Sequence, residues 1–322
     1  MRVLFAGTPE IALPSLRAVA QVHEVAAVLT APDRPVGRGR KLQASPVAEH
    51  ATELGVPVLR FEKLNEAARS EVASLGPELL VCVAYGKIFG PKFLGLFPRG
   101  GVNVHPSLLP KYRGPSPIAA AILAGDSVTG VSIQRLALEM DAGDVLARRE
   151  IVLDGTETSA SLTEQAAELG AALLVKTLAE IEAGSEQAEV QQHGQAEYCG
   201  LIKKQDGLLN WGRSAVELHR LVRAFYPWPG AFTMFDGTEL KIHKASGPKD
   251  LEPTQLPIHN DSAQQPGKVL GVDKRNGILV QTGAGVLALR QLQLSGRKAL
   301  DWAAFLNGTP NFIGSVLGGT TR

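Results

Sequence analysis

Continuously apolar runs alternate with amphipathic stretches over the first 184 residues. The short apolar runs predict strands at 1–6, 22–30, 57–59, 79–84, 102–105, 131–136 and 145–153. Helical periodicity with proline or glycine boundaries predicts helices at 11–19, from 46, at 118–123 and at 159–184. Because several strands are apolar on both faces, we expect an α/β unit with a Rossmann-like, mostly parallel sheet.

The pattern changes after residue 184. Residues 185–203 are polar and rich in Gln, Glu and Gly, which is typical of a linker. A helix is predicted at 214–225, followed by short strands at 231–235, 240–245, 268–272, 277–282 and 286–294. Such strands predict a small OB-like β-barrel, so we expect domains at 1–184 and 204–322. Trp228, which lies between two prolines, is expected to pack rather than to stack on bases.

Composition narrows the class of protein. The chain has 322 residues, 44% apolar and 20% charged, which fits about two folded domains and excludes a disordered chain. No apolar run reaches the ~18 residues that span a bilayer, so we expect no membrane partner. Cys82 and Cys199 are too few for a disulfide framework or a zinc site. A cytoplasmic protein without a metal is therefore expected.

Charge is nearly balanced overall but unevenly distributed. The net charge is +1, yet residues 1–200 carry −5 and residues 201–322 carry +6. This asymmetry indicates a polyanionic partner for the C-terminal part, although chance variation explains it as well. Lys203 and Lys204 are the first candidates there, and the others are Arg220, Arg223, Lys241, Lys244, Lys268, Arg297 and Lys298.

The segment at 31–45 has no periodicity and concentrates positive charge. Arg34, Arg38, Arg40 and Lys41 lie within eight residues and are interleaved with glycine. A flexible cationic segment suits docking on phosphates. A solvated surface loop is the alternative interpretation.

Asn103 and His105 are the most closely spaced candidates for catalytic residues. They are two residues apart on a predicted strand, so their side chains point to the same face. Ligands of open α/β sheets bind at the carboxyl ends of strands, where this pair lies. An amide can donate to a developing oxyanion, and an imidazole can exchange protons near neutral pH. The alternative is a hydrogen-bonded pair in a strand-end turn. Asp141, 36 residues after His105, could orient the imidazole or could simply cap a turn.

Several motifs together resemble the folate-dependent formyltransferases. They are Asn-x-His-x-Ser-Leu-Leu-Pro at 103–110 and Met-Asp-x-Gly-Asp at 140–144, with further matching segments at 5–10, 32–42, 112–118, 124–126 and 223–231. The resemblance covers nearly the whole chain. It is greatest to the members that formylate methionyl initiator tRNA.

The resemblance implies a fold, a reaction and roles for individual residues. We expect a formyltransferase fold with an OB-like tRNA-binding domain, acting as a monomer. The formyl group would pass from N10 of 10-formyltetrahydrofolate to the α-amine of methionine on initiator tRNA. Asn103, His105 and Asp141 match the catalytic triad. The folate site would be bordered by Val83, Ala84, Tyr85, Gly86, Ser107, Leu108, Leu109 and Pro110. The tRNA would contact Arg34, Arg38, Arg40, Lys41, Lys203 and Lys204.

Three other functions remain open at this point. An enzyme with the same triad could formylate a small amine, such as glycinamide ribonucleotide or an amino sugar nucleotide, but would not need the basic segment. A hydrolase could release formate from the same folate. An RNA-binding module without activity would keep the basic residues but would have no reason to keep the triad.

Overall fold

The computed structural model describes residues 1–36, 41–247 and 265–318, and the chain divides into two compact units. The first unit consists of Met1–Ile118, Ser127–Leu153 and Ser161–Gly200. The second unit consists of Ala119–Asp126, Asp154–Ala160 and the chain from Leu201 onward.

A seven-stranded mixed sheet forms the centre of the first unit. Its strands are β1 (Arg2–Gly7), β2 (Glu24–Thr30), β5 (Val58–Arg60), β6 (Leu79–Val83), β7 (Gly101–His105), β8 (Val128–Arg135) and β9 (Val145–Val152). The spatial order is β5-β2-β1-β6-β7-β8-β9. The pairs from β5 to β7 are parallel, and β8 and β9 join antiparallel. Two further strands, β3 (Arg34–Val36) and β4 (Lys41–Gln43), form an antiparallel pair of their own.

The central strands are apolar because both of their faces are covered. The side chains of 3–6 on β1 and of 79–81 on β6 are fully buried, as are those of 27–29 on β2. Full burial of a side chain such as Leu4 or Leu80 stabilises the fold by roughly 1.5–3 kcal/mol each. The sheet therefore provides a rigid edge for the residues that follow its strands.

The described residues up to 183 contain six α-helices, and most of the fifth belongs to the second unit. They are α1 (Leu13–Val22), α2 (Pro46–Glu53), α3 (Glu66–Ser74), α4 (Pro91–Leu94), α5 (Pro117–Ala124) and α6 (Ser159–Ala183). Ser45 Oγ accepts from Ala48 N at the start of α2, and Asn65 Oδ1 accepts from Ala68 N at the start of α3. The sequence did not predict α3, since its apolar face buries only Ala68 and Val72.

The second unit contains an antiparallel sheet with two flanking helices. The elements are α7 (Ala215–Ala224), β10 (Ala231–Phe235), β11 (Thr238–Ser246), β12 (Val269–Asp273), β13 (Gly277–Gln281), β14 (Val286–Leu294), β15 (Leu300–Asp301) and α8 (Trp302–Asn307). The strand order is β10-β11-β14-β13-β12, and β15 pairs with β14. The predicted fold class, a Rossmann-like sheet followed by a small β unit, is confirmed.

One residue and one segment differ from what the sequence predicts. Trp228 is 61% exposed, so the expectation that it packs was wrong. The polar segment at 185–200 is not extended in solvent. It makes isolated bridges from Glu189 to Val145 and from Tyr198 to Arg113, and it buries one residue, Gln191. Composition alone does not reveal such a segment, because most of its other residues are exposed. The boundaries at 184 and 203 stay a prediction.

Within the described ranges, none of the helices combines the length and apolar character needed to cross a membrane.

Candidate active site

The carboxyl ends of three neighbouring strands lie side by side in the first unit. Gly7 on β1 pairs with Val83 on β6, and Cys82 on β6 pairs with Asn103 on β7. Asn103 and His105 at the end of β7 and the residues at 83–86 at the end of β6 therefore lie at one edge of the sheet. This is the place where open α/β sheets bind their ligands.

The structure brings Asn103, His105 and Asp141 together. Asn103 Nδ2 donates to Asp141 Oδ1 over 3.3 Å, and His105 Nδ1 lies 3.6 Å from the same oxygen. Asn103 and His105 share a face of β7, whereas Asp141 comes from the connection between β8 and β9. Three side chains from two strand ends thus surround one small space, as the acyl-transfer hypothesis requires.

The tautomer of His105 follows from its neighbours. The residue is only 4% exposed, and its Nε2 lies 2.9 Å from the carbonyl oxygen of Tyr112. A carbonyl oxygen accepts hydrogen bonds and cannot donate them, so Nε2 carries a hydrogen. In the neutral imidazole the lone pair is then on Nδ1, the nitrogen that faces Asp141. Proton exchange by His105 has to use Nδ1.

Asp141 is held in place by two hydrogen bonds that the sequence did not predict. Gln134 Nε2 donates to Oδ1 and the backbone N–H of Gly114 donates to Oδ2, both over 2.8 Å. The Asp141 backbone is in the left-handed region, with φ of 52°. Such a conformation costs of order 1–3 kcal/mol in a residue other than glycine and is found preferentially at functional sites.

Gly114 is required at its position for two reasons. Its φ is +112°, and a Cβ there would lie 2.2 Å from the carbonyl oxygen of Cys199. The missing side chain allows the backbone to pack against Cys199 while the N–H of Gly114 donates to the Asp141 carboxylate. The tight turn and the close approach therefore serve the same residue of the site.

The predicted folate-binding residues at 83–86 follow β6 directly. Val83 and Tyr85 are buried, whereas Ala84 and Gly86 are exposed and have positive φ values of 50° and 83°. The Tyr85 hydroxyl is buried without a hydrogen-bond partner among the described residues. Burial raises the pKa of Tyr85 to about 12, so the hydroxyl is protonated at neutral pH and can donate but not act as a base.

The predicted folate-binding residues at 107–110 form a fixed turn. Ser107 Oγ donates to a backbone carbonyl four residues on over 2.6 Å, and Leu109 N donates to Ser132 Oγ over 3.1 Å. Ser107 and Leu109 are buried, while Leu108 and Pro110 are half-buried. Leu108 and Pro110 are the members of this set with accessible side chains.

The structure describes only some of the cationic residues at 34–41 that were predicted to contact tRNA. Arg34 is exposed on β3, and Arg38 and Arg40 lie outside the described residues. Lys41 belongs to β4, but its side chain is outside the described part of the chain.

The basic residues of the second unit differ among themselves. Lys203 and Lys204 are exposed, and Lys204 Nζ lies 3.5 Å from Glu239 Oε2. Arg220 donates to the carbonyl of Ala124 over 2.9 Å and Arg223 donates to that of Glu157 over 2.8 Å, both within their own unit. The guanidinium groups of Arg220 and Arg223 therefore stabilise their own unit.

Neither cysteine has the character of a nucleophile. Burial raises the pKa of the Cys82 thiol to about 12, and burial also raises the pKa of Cys199. Among the described residues, no group of three or more His, Cys, Asp or Glu side chains could hold a metal ion.

Several residues of the site were missed because they depend on strand register. Gln134 lies opposite Asn103 in the antiparallel pair of β7 and β8, and Ser132 lies opposite His105. Cross-strand partners share a face, which explains how Gln134 reaches Asp141. No signal in the sequence gives this register, since the two strands are separated by a helix.

An amide donor, an imidazole and a carboxylate at the carboxyl edge of an α/β sheet are typical of an enzyme that transfers an acyl group. The family described as "Formyl transferase" matches residues 1–178, and "Formyl transferase, C-terminal domain" matches residues 201–310. The chain belongs to the formyl transferase family.

Curated relatives match over nearly the whole chain. A methionyl-tRNA formyltransferase of Treponema denticola is 45% identical over 97% of this chain and 98% of the relative. The protein of the same name from Treponema pallidum (strain Nichols) is 47% identical over 99% of both chains. One from Coxiella burnetii (strain RSA 493 / Nine Mile phase I) is 40% identical over 95% of both.

Solved structures share the fold at low identity. HypX from Aquifex aeolicus in complex with tetrahydrofolic acid has a TM-score of 0.63 at 18% identity, covering 97% of this chain and 48% of HypX. WlaRD, a sugar 3N-formyl transferase crystallised in the presence of dTDP and 5-N-formyl-THF, has a TM-score of 0.63 at 17% identity. That alignment covers 92% of this chain and 99% of WlaRD. These two likenesses support the fold alone.

Proposed function

We propose that this chain transfers the formyl group of 10-formyltetrahydrofolate to the α-amine of methionine on initiator tRNA. The observation that carries the proposal is the convergence of Asn103, His105 and Asp141 at the carboxyl edge of the first sheet. Relatives of 40–47% identity that bear the name methionyl-tRNA formyltransferase support the choice of acceptor.

The proposed chemistry needs charge stabilisation and one net proton transfer. The neutral amine attacks the formyl carbon, a new C–N bond forms, and the bond from carbon to N10 breaks. The amine proton ends on N10. Asn103 Nδ2 has a second hydrogen beyond the one that faces Asp141, and this hydrogen is available to the formyl oxygen as it gains charge.

His105 and Asp141 provide the proton chemistry in this proposal. The hydrogen on Nε2 is fixed by the Tyr112 carbonyl, so His105 gains or loses its proton at Nδ1. Asp141 stabilises the imidazolium because its Oδ1 lies 3.6 Å from Nδ1. The two hydrogen bonds from Gln134 and Gly114 keep the carboxylate in that position.

We propose that the formyl donor lies against the turns at 83–86 and 107–110. The exposed backbone at Ala84 and Gly86 and the accessible sides of Leu108 and Pro110 support this position. The Tyr85 hydroxyl, which has no hydrogen-bond partner in the described part of the chain, is buried in the first of these turns. The donor acts here as a substrate that is consumed in each turnover.

For tRNA, we propose contacts from Arg34, Arg38, Arg40 and Lys41, with Lys203 and Lys204 as further phosphate contacts. Exposed cations supply the electrostatic part of nucleic-acid binding, which falls as salt concentration rises. We also propose that the chain acts as a monomer, which sedimentation or scattering in solution would test.

A comparison of acceptors tests the proposed function. The protein is incubated with 10-formyltetrahydrofolate and methionyl initiator tRNA, and formylmethionine is measured after hydrolysis of the ester. Parallel reactions contain glycinamide ribonucleotide, an amino sugar nucleotide, or no acceptor. We expect formylation of methionyl-tRNA alone. Formylation of a small amine, or release of formate without acceptor, would contradict the proposal.

A further inference from the structure

Among the described residues, Arg113 is the largest side chain that is almost completely buried. It is 1% exposed, and its guanidinium group contacts three residues of the polar segment at 185–200. Nε and Nη2 donate to Gln191 Oε1 over 3.1 and 2.8 Å. Nη1 donates to Tyr198 Oη over 3.2 Å, and Nη2 lies 3.1 Å from His193 Nδ1. Glu139 Oε1 lies 3.9 Å from Nη1 and supplies a counter-charge, so the buried guanidinium is fully engaged in contacts that hold this segment in place.

The guanidinium fork fixes the orientation of the Gln191 amide. Two N–H groups of Arg113 point at the amide oxygen, which leaves the NH₂ group directed to the opposite side. Gln191 is 2% exposed, so bulk solvent does not compete for either end of the amide.

The NH₂ group of Gln191 supports the turn that carries Asp141. Nε2 donates to the Asp141 carbonyl over 2.9 Å and to the Gly143 carbonyl over 2.6 Å. At Gly143 the turn is tight, since a Cβ there would lie 1.9 Å from the carbonyl oxygen of Arg135. Gln191 therefore satisfies the carbonyl of Asp141, whose backbone is in the strained left-handed region, and the carbonyl of Gly143 two residues further along the turn.

We propose that Gln191, oriented by Arg113, is a positioning residue that holds the Asp141 carboxylate beside His105 for formyl transfer. The inference rests on the proposed role of Asp141. A displacement of about 1 Å at such a group can lower the rate about 10²-fold. Gln191 acts through the backbone of Asp141 and through Gln134, whose Oε1 accepts from Gln191 Nε2 over 3.4 Å, and does not contact a reacting atom.

The substitution Gln191→Glu tests the two ends of the side chain separately. A glutamate keeps the size and the acceptor for Arg113, but it replaces the NH₂ donor with an oxygen that faces two carbonyls. We expect kcat for methionyl-tRNA to fall about 100-fold, with KM changed less than threefold. The matched control is Gln192→Glu, the same change at the exposed neighbouring residue, which should retain wild-type kcat.

The Asp141→Asn background distinguishes positioning from general damage. If Gln191 acts only through Asp141, the double variant Asp141→Asn/Gln191→Glu should be no slower than Asp141→Asn alone. Losses of kcat that multiply in the double variant would overturn the inference. So would a wild-type kcat for Gln191→Glu when Asp141→Asn is impaired, and in that case the proposed triad would stand.

A wild-type kcat for Asp141→Asn would instead contradict both the proposed triad and this inference. Formylation by the unmodified protein would in that case still support the overall function. If Gln191→Glu does not accumulate as folded protein, Arg113→Lys serves the same test. It keeps the charge and loses the fork, and we expect a smaller loss of kcat that also disappears in the Asp141→Asn background.

Discussion

Two regions of the molecule differ in how firmly their side chains are held. One is the polar site at the edge of the first sheet, and the other is the set of exposed cations proposed to contact tRNA. Asp141 receives hydrogen bonds from three residues, and His105 is nearly buried against a carbonyl. Arg34 and Lys203 are exposed on the surface.

This difference fits the two tasks proposed for these regions. Stabilising a developing charge requires donors at fixed distances before the reaction begins, so the site is built from buried groups with defined partners. Contacts with phosphates depend mainly on charge at the surface and tolerate a mobile side chain. Substitutions in the first region should therefore change kcat, and substitutions in the second should change binding and its dependence on salt.

The largest effect is expected for Asn103→Ala. Removal of one oxyanion donor typically lowers kcat about 10²–10³-fold, or about 2.7–4 kcal/mol in the activation free energy. Affinity for the formyl donor should change little, which equilibrium binding of a folate analogue would measure. Asn307→Ala, at an exposed residue of α8, is the control. A near-normal kcat for Asn103→Ala would remove this residue from the mechanism.

Gly114→Ala should reduce both stability and activity. The positive φ and the contact with the Cys199 carbonyl together should lower the free energy of unfolding by about 2–4 kcal/mol. Denaturant unfolding measures this loss. Gly194→Ala, where nothing lies within 4 Å of the new Cβ, should change stability by at most about 1 kcal/mol. Equal effects at both positions would show that the close approach at Gly114 is unimportant.

Arg34→Ala should act on tRNA binding and leave the chemical step intact. Loss of one phosphate contact should reduce the slope of log affinity against log salt by about one. The measurement is tRNA affinity between about 50 and 200 mM salt, over which the change amounts to about fourfold. Arg99→Ala is the control, since Arg99 precedes β7 and lies at the opposite edge of the sheet. An unchanged slope for Arg34→Ala would exclude this contact.

The smallest effect concerns His23, a half-buried histidine outside both regions. Desolvation by burial, together with the nearby N-terminal ammonium group, lowers the pKa of His23 below 6.5, despite the opposing effects of Glu182 and Glu78. The unfolded chain therefore binds the proton first as pH falls. The contribution of His23 to stability should be complete above about pH 6.5 and decline below it.

Unfolding free energies at pH 8 and pH 5 test this prediction. His23→Gln should show a smaller loss of stability between the two values than the unmodified protein. An identical loss in both proteins would assign the acid sensitivity to other groups.

Part of the site could be predicted because it depends on local geometry. The spacing of two residues on a strand places Asn103 and His105 on one face, and the apolar run before them indicates that the strand ends there. Asp141 was a candidate from its position between two predicted strands, but the choice between orienting the imidazole and capping a turn came from the family resemblance. The contribution of Gln191 could not be predicted, because it is 50 residues beyond Asp141 in a polar segment whose composition is typical of a linker.

The amino-acid sequence by itself determined the alternation of buried strands and helices, the change to short strands in the C-terminal part, and the pairing of an amide with an imidazole on β7. These features depend on the period of hydrophobic positions, which each segment carries independently of the rest. The tertiary structure decided the partners of Asp141, the burial of Arg113 and Gln191, and the exposure of Trp228. These features depend on strand register and on the path of distant segments, and the folded chain sets both through contacts between residues far apart in sequence.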